Sequence, residues 1–213
     1  MREELTKAIN SALQDAGKRN FKQSVELILS FRGIDPKKPQ ERITGEALLP
    51  HGCGEPKKVC VFAEKEQAVR AKEAGADMVL GLDEVTKIAS NKKEAKKLAE
   101  EFDFFLAQAD ILPSVAKLLG KFLGPRGKVP RPLPTSGLAE FLQKLRKTVT
   151  FRMKDQPMLS VKIGEEDMSE EQLAENAEAV LKSIEPKLSK GLSQIKSAYV
   201  KLTMGKPVKV EFK

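Results

Sequence analysis

The segment Pro50-His51-Gly52-Cys53-Gly54 sets an imidazole and a thiol two residues apart in a turn, and a second thiol follows at Cys60. Such groups suit zinc binding or nucleophilic catalysis, and both fail on the count. A closed zinc site takes four Cys or His ligands, whereas this chain owns one His and two Cys. A catalytic thiol or hydroxyl takes a base that a carboxylate orients, and His51 stands in its Gly-Pro turn without that arrangement. The thiols are read as reduced, with Cys60 buried in a strand. Phosphate-cradling loops are missing too. The turns Ala63-Glu64-Lys65-Glu66 and Leu80-Gly81-Leu82-Asp83 are not glycine-rich, and Gly124-Pro125-Arg126-Gly127-Lys128 lacks Walker spacing while its proline removes an amide. The acids Glu165-Glu166-Asp167 directly precede a helix start, where the dipole favours them. No catalytic residue, no metal and no cofactor are expected.

Cations offer a different chemistry. The 213 residues carry 38 Lys and Arg against 30 Asp and Glu, a net charge of +8 that points to a polyanionic partner. The excess is concentrated. Lys117 to Lys154 holds ten Lys or Arg and one acid, Glu140, and Pro186 to Lys213 holds seven Lys and one acid, Glu211, so these two stretches outweigh the whole chain. Arg126, Gly127, Lys128 and Arg131 lie in the run Leu123 to Pro132, a stiff turn-rich loop suited to phosphate contact or, equally, to a solvated connector. Lys201-Leu202-Thr203-Met204-Gly205-Lys206 runs a strand into a glycine turn, where a hydroxyl, exposed backbone and lysines could meet ribose and phosphate. The same spacing also fits an ordinary hairpin. No apolar run reaches about 18 residues, and the start MREELTKAIN lacks the apolar core of a signal peptide, so a cytosolic location without membrane insertion is expected.

Two kinds of strand must position these groups. Phe21 to Gly33 alternates, with Phe21, Val25, Leu27, Leu29 and Phe31 on one face and Lys22, Ser24, Glu26, Ser30 and Arg32 on the other, and Arg42 to Leu49 follows the same style. Val59 to Ala63 is instead continuously apolar, as a parallel strand covered on both faces requires. A helix, Asp77 to Leu80, a lysine-rich helical stretch to Glu101, Phe104 to Ala107, and helices at Ile111 to Leu119 and Ser136 to Lys147 continue that alternation, which reads as a three-layer α/β unit. The alternating style returns in Met158 to Ile163, Ile195 to Met204 and Val208 to Phe212, around a helix from Ser169 to Ile184 opened by the capping box Ser169-Glu170-Glu171-Gln172. About 54 N-terminal residues are too few for a core of their own. They are expected to pair with the C-terminal strands, giving a split domain of residues 1–54 and 156–213 and an inserted domain of residues 55–155. The fold class is α/β: an α+β first domain with an antiparallel-rich open sheet, and a three-layer, Rossmann-like second domain.

The succession Phe21-Lys22-Gln23-Ser24-Val25-Glu26-Leu27, Leu48-Leu49-Pro50-His51-Gly52, Ala74-Gly75-Ala76-Asp77, Leu123-Gly124-Pro125-Arg126-Gly127-Lys128-Val129-Pro130 and Thr203-Met204-Gly205 resembles the ribosomal protein L-one family, nearly end to end. The sequel Gly205-Lys206-Pro207-Val208 is similar to archaeal members. The resemblance implies a split domain that holds large-subunit ribosomal RNA at the mobile side stalk near the exit site, and an inserted domain that swings on a hinge. It also implies assistance to deacylated exit-site tRNA release, and repression of its own messenger RNA through a similar RNA fold. Carried over by position, Phe21, Ser24, Glu26, Thr203, Met204 and Gly205 are RNA-contact residues, with Lys201 and Lys206 beside them. The free protein is expected to be a monomer. A nucleotide-binding enzyme built on the α/β insertion, and a basic protein-interaction scaffold, are the competing readings.

Overall fold

The structure, a computed structural model, describes residues 2–17 and 19–211; the expected strand end at Phe212 lies outside the described residues. In chain order it contains α1 (Arg2–Asp15), β1 (Ser24–Phe31), β2 (Thr44–Leu48), β3 (Val59–Phe62), α2 (Lys65–Glu73), β4 (Met78–Leu80), α3 (Leu82–Ser90) and α4 (Lys92–Glu101). There follow β5 (Phe104–Ala107), α5 (Leu112–Leu123), β6 (Arg131–Pro132), α6 (Leu138–Arg146), β7 (Thr148–Arg152), β8 (Met158–Glu165), α7 (Glu170–Ile184), β9 (Ile195–Leu202) and β10 (Val208–Val210). The chain forms two compact units, Pro56–Arg146 and the remainder, Met1–Glu55 with Lys147–Lys213.

Unit Pro56–Arg146 is built on a parallel sheet of order β4-β3-β5-β6. Every residue of β3 and β5 is buried, because the two faces feed separate cores. Cys60, Phe62, Phe105 and Ala107 pack with α3, α4 and α5, while Val59, Val61, Phe104 and Leu106 pack with Ala71 of α2 and Leu142 and Leu145 of α6. That is the three-layer α/β arrangement. Burial pushes the Cys60 thiol up to about 12, so it stays a neutral packing group. The lysine-rich helical stretch comprises two helices, α3 and α4: Asn91 separates them and caps α4 by accepting the Lys93 amide at 3.1 Å.

In the split unit, β1 lies between the returning strands of a fully antiparallel sheet, order β10-β9-β1-β8. Val25, Leu27, Leu29 and Phe31 point into a core shared with α1 and α7, so the alternation seen in the sequence is the sheet's inside and outside. Ile28 departs from the tidy polar face: by register it shares the outer side with Glu26 and Ser30. The expected return boundary near residue 155 moves to Arg146, because Thr148-Val149-Thr150-Phe151-Arg152 forms β7. That strand pairs antiparallel with β2 and buries Val149 and Phe151 in the split unit's core. Helix α7 opens with the expected capping box: Ser169 Oγ accepts the Gln172 amide and Gln172 Oε1 accepts the Ser169 amide, each at 3.3 Å. It presses closely on β8 at Gly164, where any Cβ would come within 2.4 Å of Leu173 Cδ2.

One buried amide ties this unit together. Asn176 on α7 is fully buried; its Nδ2 donates to Gly52 O at 2.7 Å and Ile163 O at 2.8 Å, and its Oδ1 accepts the His51 amide at 3.2 Å. The turn that looked like a ligand set is thus anchored to helix and sheet. His51 Nε2 lies 2.6 Å from Glu175 Oε2, next to the Arg2–Glu175 ion pair, and those two partners hold the Glu175 carboxyl below its ordinary range. Asn176→Ala strands three backbone groups at once and is expected to lower unfolding free energy by about 3 kcal/mol. Urea denaturation reads this as a fall in midpoint at unchanged slope; a midpoint equal to that of the parent protein contradicts the anchoring role.

Candidate nucleic-acid interface

The polar edge of the split unit forms where β1 begins and β9 ends. Val25 pairs with Leu202 and Glu26 with Lys201, so the two sequence stretches expected to cooperate are neighbours. Beyond the ladder, the Thr203 amide donates to Ser24 O at 3.1 Å, the Ser24 amide donates to Thr203 Oγ1 at 3.0 Å, and that hydroxyl donates back to Ser24 O at 3.4 Å. The hydroxyl therefore latches residues 179 apart in sequence. The turn closes with the Gly205 amide donating to Leu202 O at 3.0 Å. A side chain at Gly205 would sit 3.3 Å from Leu202 Cβ, so the glycine lets the turn fold back closely on its own strand.

A residue without an expected role organises this corner. Gln23 is 1% exposed; its Oε1 accepts the Met204 amide at 3.2 Å, and its Nε2 donates to Glu166 Oε2 at 3.1 Å and to Gly17 O at 3.3 Å. Its position was readable in principle, since Gln23 shares the inward parity of Val25 and Leu27, and a buried amide there must find partners. The acids at the end of β8 serve the same corner rather than the α7 dipole. Glu165 is buried with Lys162 Nζ at 2.8 Å, Glu166 takes Gln23, and Asp167 pairs with Lys22 at 2.7 Å. The Lys22 ammonium holds the Asp167 carboxyl below its usual range, and the hydrogen bond to Asp167 raises Lys22 in turn.

Around this corner, Phe21 and Met204 are strongly exposed, at 50% and 62%. Ser24 and Lys201 are partly exposed, as is Gly205, and Lys206 is exposed. Glu26 lies on the outer sheet face between Lys201 on β9 and Lys162 on β8, and accepts Ser160 Oγ at 3.0 Å. The cross-strand ammonium of Lys201 offsets part of the repulsion that a lone carboxylate would offer to phosphates, whereas the Lys162 ammonium is engaged by Glu165 at 2.8 Å. The arrangement combines turn backbone, two apolar surfaces, a hydrogen-bond acceptor and solvent-accessible lysines, which can meet ribose hydroxyls, base edges and phosphates.

The basic loop belongs to the other unit and has internal partners. Lys128 Nζ donates to Ala99 O at 3.0 Å and Phe102 O at 2.7 Å, capping the C-terminal end of α4, and burial lowers its pKa. Arg126 pairs with Glu100 at 2.5 Å. Arg131 stacks over the Phe104 ring at 5.3 Å as β6 joins the sheet edge. Gly127 takes a left-handed φ of +73° in the turn between them. These cations build the unit they stand in, a role that sequence spacing did not disclose.

Among the described residues no group of His, Cys, Asp and Glu is arranged to hold a metal ion, and no helix is long and apolar enough to cross a membrane. Comparison with known proteins matches residues 11–206 to the ribosomal protein L1p/L10e family. The chain is 47% identical to "Large ribosomal subunit protein uL1" of Methanothermobacter thermautotrophicus, covering 99% of this chain and 100% of that protein. Proteins with the same name from Thermofilum pendens, at 48% identity over 97% of this chain and 92% of the relative, and from Thermococcus kodakarensis, at 42% over 99% and 98%, are comparably similar. The match spans both units and the whole corner from Phe21 to Lys206, and the chain belongs to the ribosomal protein L1p/L10e family, whose members are structural rather than catalytic.

Proposed function

We propose that this protein binds large-subunit ribosomal RNA with the corner where β1 and β9 meet, and takes its place at the mobile side stalk near the exit site. The observation that carries the reading is the Thr203–Ser24 latch, which sets the Thr-Met-Gly turn against the start of β1. Family membership and the concentration of cations in Pro186 to Lys213 support it. In this reading Thr203, Met204 and Gly205 present backbone groups to a ribose-rich RNA minor face, Phe21 and Met204 cover apolar base surface, and Glu26 accepts from a 2′-hydroxyl or a cytosine amine. Lys201 and Lys206 supply phosphate attraction. Arg126, Gly127, Lys128 and Arg131 act through the integrity of their own unit, with their outward edges available to phosphate. The proposal extends to assisting deacylated tRNA release at the exit site and to repressing its own messenger RNA, both through the same corner. The free protein acts as a monomer.

Three measurements test the reading. Purified protein mixed with large-subunit ribosomal RNA is expected to protect one discrete segment from nucleases; diffuse protection or none contradicts the assignment. Replacing Lys201 or Lys206 by Ala is expected to reduce the slope of log affinity against log salt by about one each, and an unaltered slope removes that lysine from the phosphate contacts. Thr203→Val breaks the latch, so a stability loss of about 1 kcal/mol should accompany a roughly tenfold loss of affinity for the protected segment. Affinity preserved within about twofold would mean that the turn does not position the RNA.

A further inference from the structure

Among the described residues, the helices α1 and α7 pack with the core residues of one face of the β10-β9-β1-β8 sheet and leave its outer face open. Cross-strand register gives what this face presents: Ser24, Glu26, Ile28 and Ser30 on β1, with Met158, Ser160 and Lys162 on one side and Ser197, Tyr199 and Lys201 on the other. Ile28 and Tyr199 are directly opposed. On the outer side of Tyr199 stands Lys209 of β10, and across from Ile28 stands Ser160 of β8. Tyr199 is the single tyrosine of a chain without tryptophan. It is partly exposed in the middle of the sheet. Small or polar side chains would satisfy a merely solvated face at these positions. The sheet instead sets one aromatic ring against one branched aliphatic side chain, rimmed by hydroxyls and lysines.

From this placement we propose that the outer sheet face holds one unpaired RNA base, stacked on the Tyr199 ring and flanked by Ile28. The inference rests on the RNA-binding reading above and deepens it, for it adds a base-stacking platform beside a corner argued from backbone, hydroxyl and charge. Three features favour a base over a protein partner. The apolar strip is one ring and one isoleucine, with the exposed Met158 of β8 near one end, far short of the roughly 800 Å² that each partner contributes to a standard protein interface. Its rim is cationic: Lys201 lies two residues along β9, and Lys209 is the direct neighbour of Tyr199 on β10, where each can meet the phosphates flanking an extruded nucleotide. The strip is also continuous with the corner, since Glu26 and Lys201 form the next pair along the ladder towards Thr203. An open antiparallel sheet that stacks unpaired bases on ring faces is a sequence-tolerant way to hold RNA. A fully paired stem presents no free base face, so the bound segment must contain an unpaired or extruded nucleotide.

The single tyrosine makes the test direct. Protein grown with meta-fluorotyrosine gives one fluorine NMR resonance from the chain, and the probe is the nuclease-protected segment of large-subunit ribosomal RNA. Stacking predicts an upfield displacement of that resonance on saturation. Tyr199→Phe is expected to keep affinity within about twofold and Tyr199→Leu to lose roughly tenfold or more, as base–aromatic stacking requires. Circular dichroism melting confirms that each variant is folded. If the segment binds but the resonance stays in place, or folded Tyr199→Leu binds as tightly as the parent, the platform is refuted while the corner reading stands. A face reserved for a protein partner would give that same unmoved resonance. If the segment fails to bind the parent protein at all, both readings fall together.

Discussion

The pairing of β1 with β9 is the constraint from which the rest of the split unit follows. It joins segments about as distant in sequence as the chain permits, and it runs through the middle of a four-stranded sheet. A slip of β1 by one residue would turn Val25, Leu27 and Leu29 outward and carry Glu26 into the core, so burial enforces the register. With the register set, Thr203 must emerge beside Ser24, and the hydroxyl latch has only to secure what the hydrophobic pattern has already aligned. The proposed interface is therefore a by-product of core packing, placed at the end of a ladder that burial holds in register.

Charge is distributed in support of that corner. The acids at the end of β8 are each committed to a partner, Glu165 to Lys162, Glu166 to Gln23 and Asp167 to Lys22. Glu166 and Asp167 brace the residues that lead into β1, and Glu165 is neutralised on its own strand. Lys201 and Lys206 belong to a different economy, on the outer face and in the exposed turn. In the other unit the cations that looked most available are structural, with Lys128 closing α4 and Arg131 lying over Phe104. The ammonium at Lys128 loses hydration, and the helix-end carbonyls it satisfies compensate for that loss.

Much of the architecture was legible because the two strand styles differ physically. Alternation in Ser24 to Phe31 and Ile195 to Leu202 announced sheets with one wet face, and the unbroken apolar runs of Val59 to Phe62 and Phe104 to Ala107 announced a sheet buried twice. The β7 strand was hidden because Thr148 to Arg152 follows a helix immediately, and its threonines and arginine blur a five-residue pattern. Its partner β2 buries only Ala47, so cross-strand pairing and not local hydrophobicity decides that sheet. At the candidate site, the corner residues could be named from motif resemblance, whereas Gln23 was marked only by its inward parity and Asn176 by nothing. The importance of both lies in satisfying distant backbone groups, and the partners of a single buried amide are not written in the local sequence. The basic loop misled for the opposite reason: turn residues and cations mark exposure, but the acceptors that occupy Lys128 come from α4, many residues upstream.

The central claim is that residues near β1 and residues after β9 act as one RNA-holding surface. Hydrogen–deuterium exchange on the protein, free and saturated with its protected ribosomal RNA segment, tests it most directly. The account predicts that amides in residues 21–26 and 201–206 gain protection together, while those of the basic loop, residues 123–132, change far less. Protection confined to the loop, or gained by one of the two corner segments without the other, would contradict it.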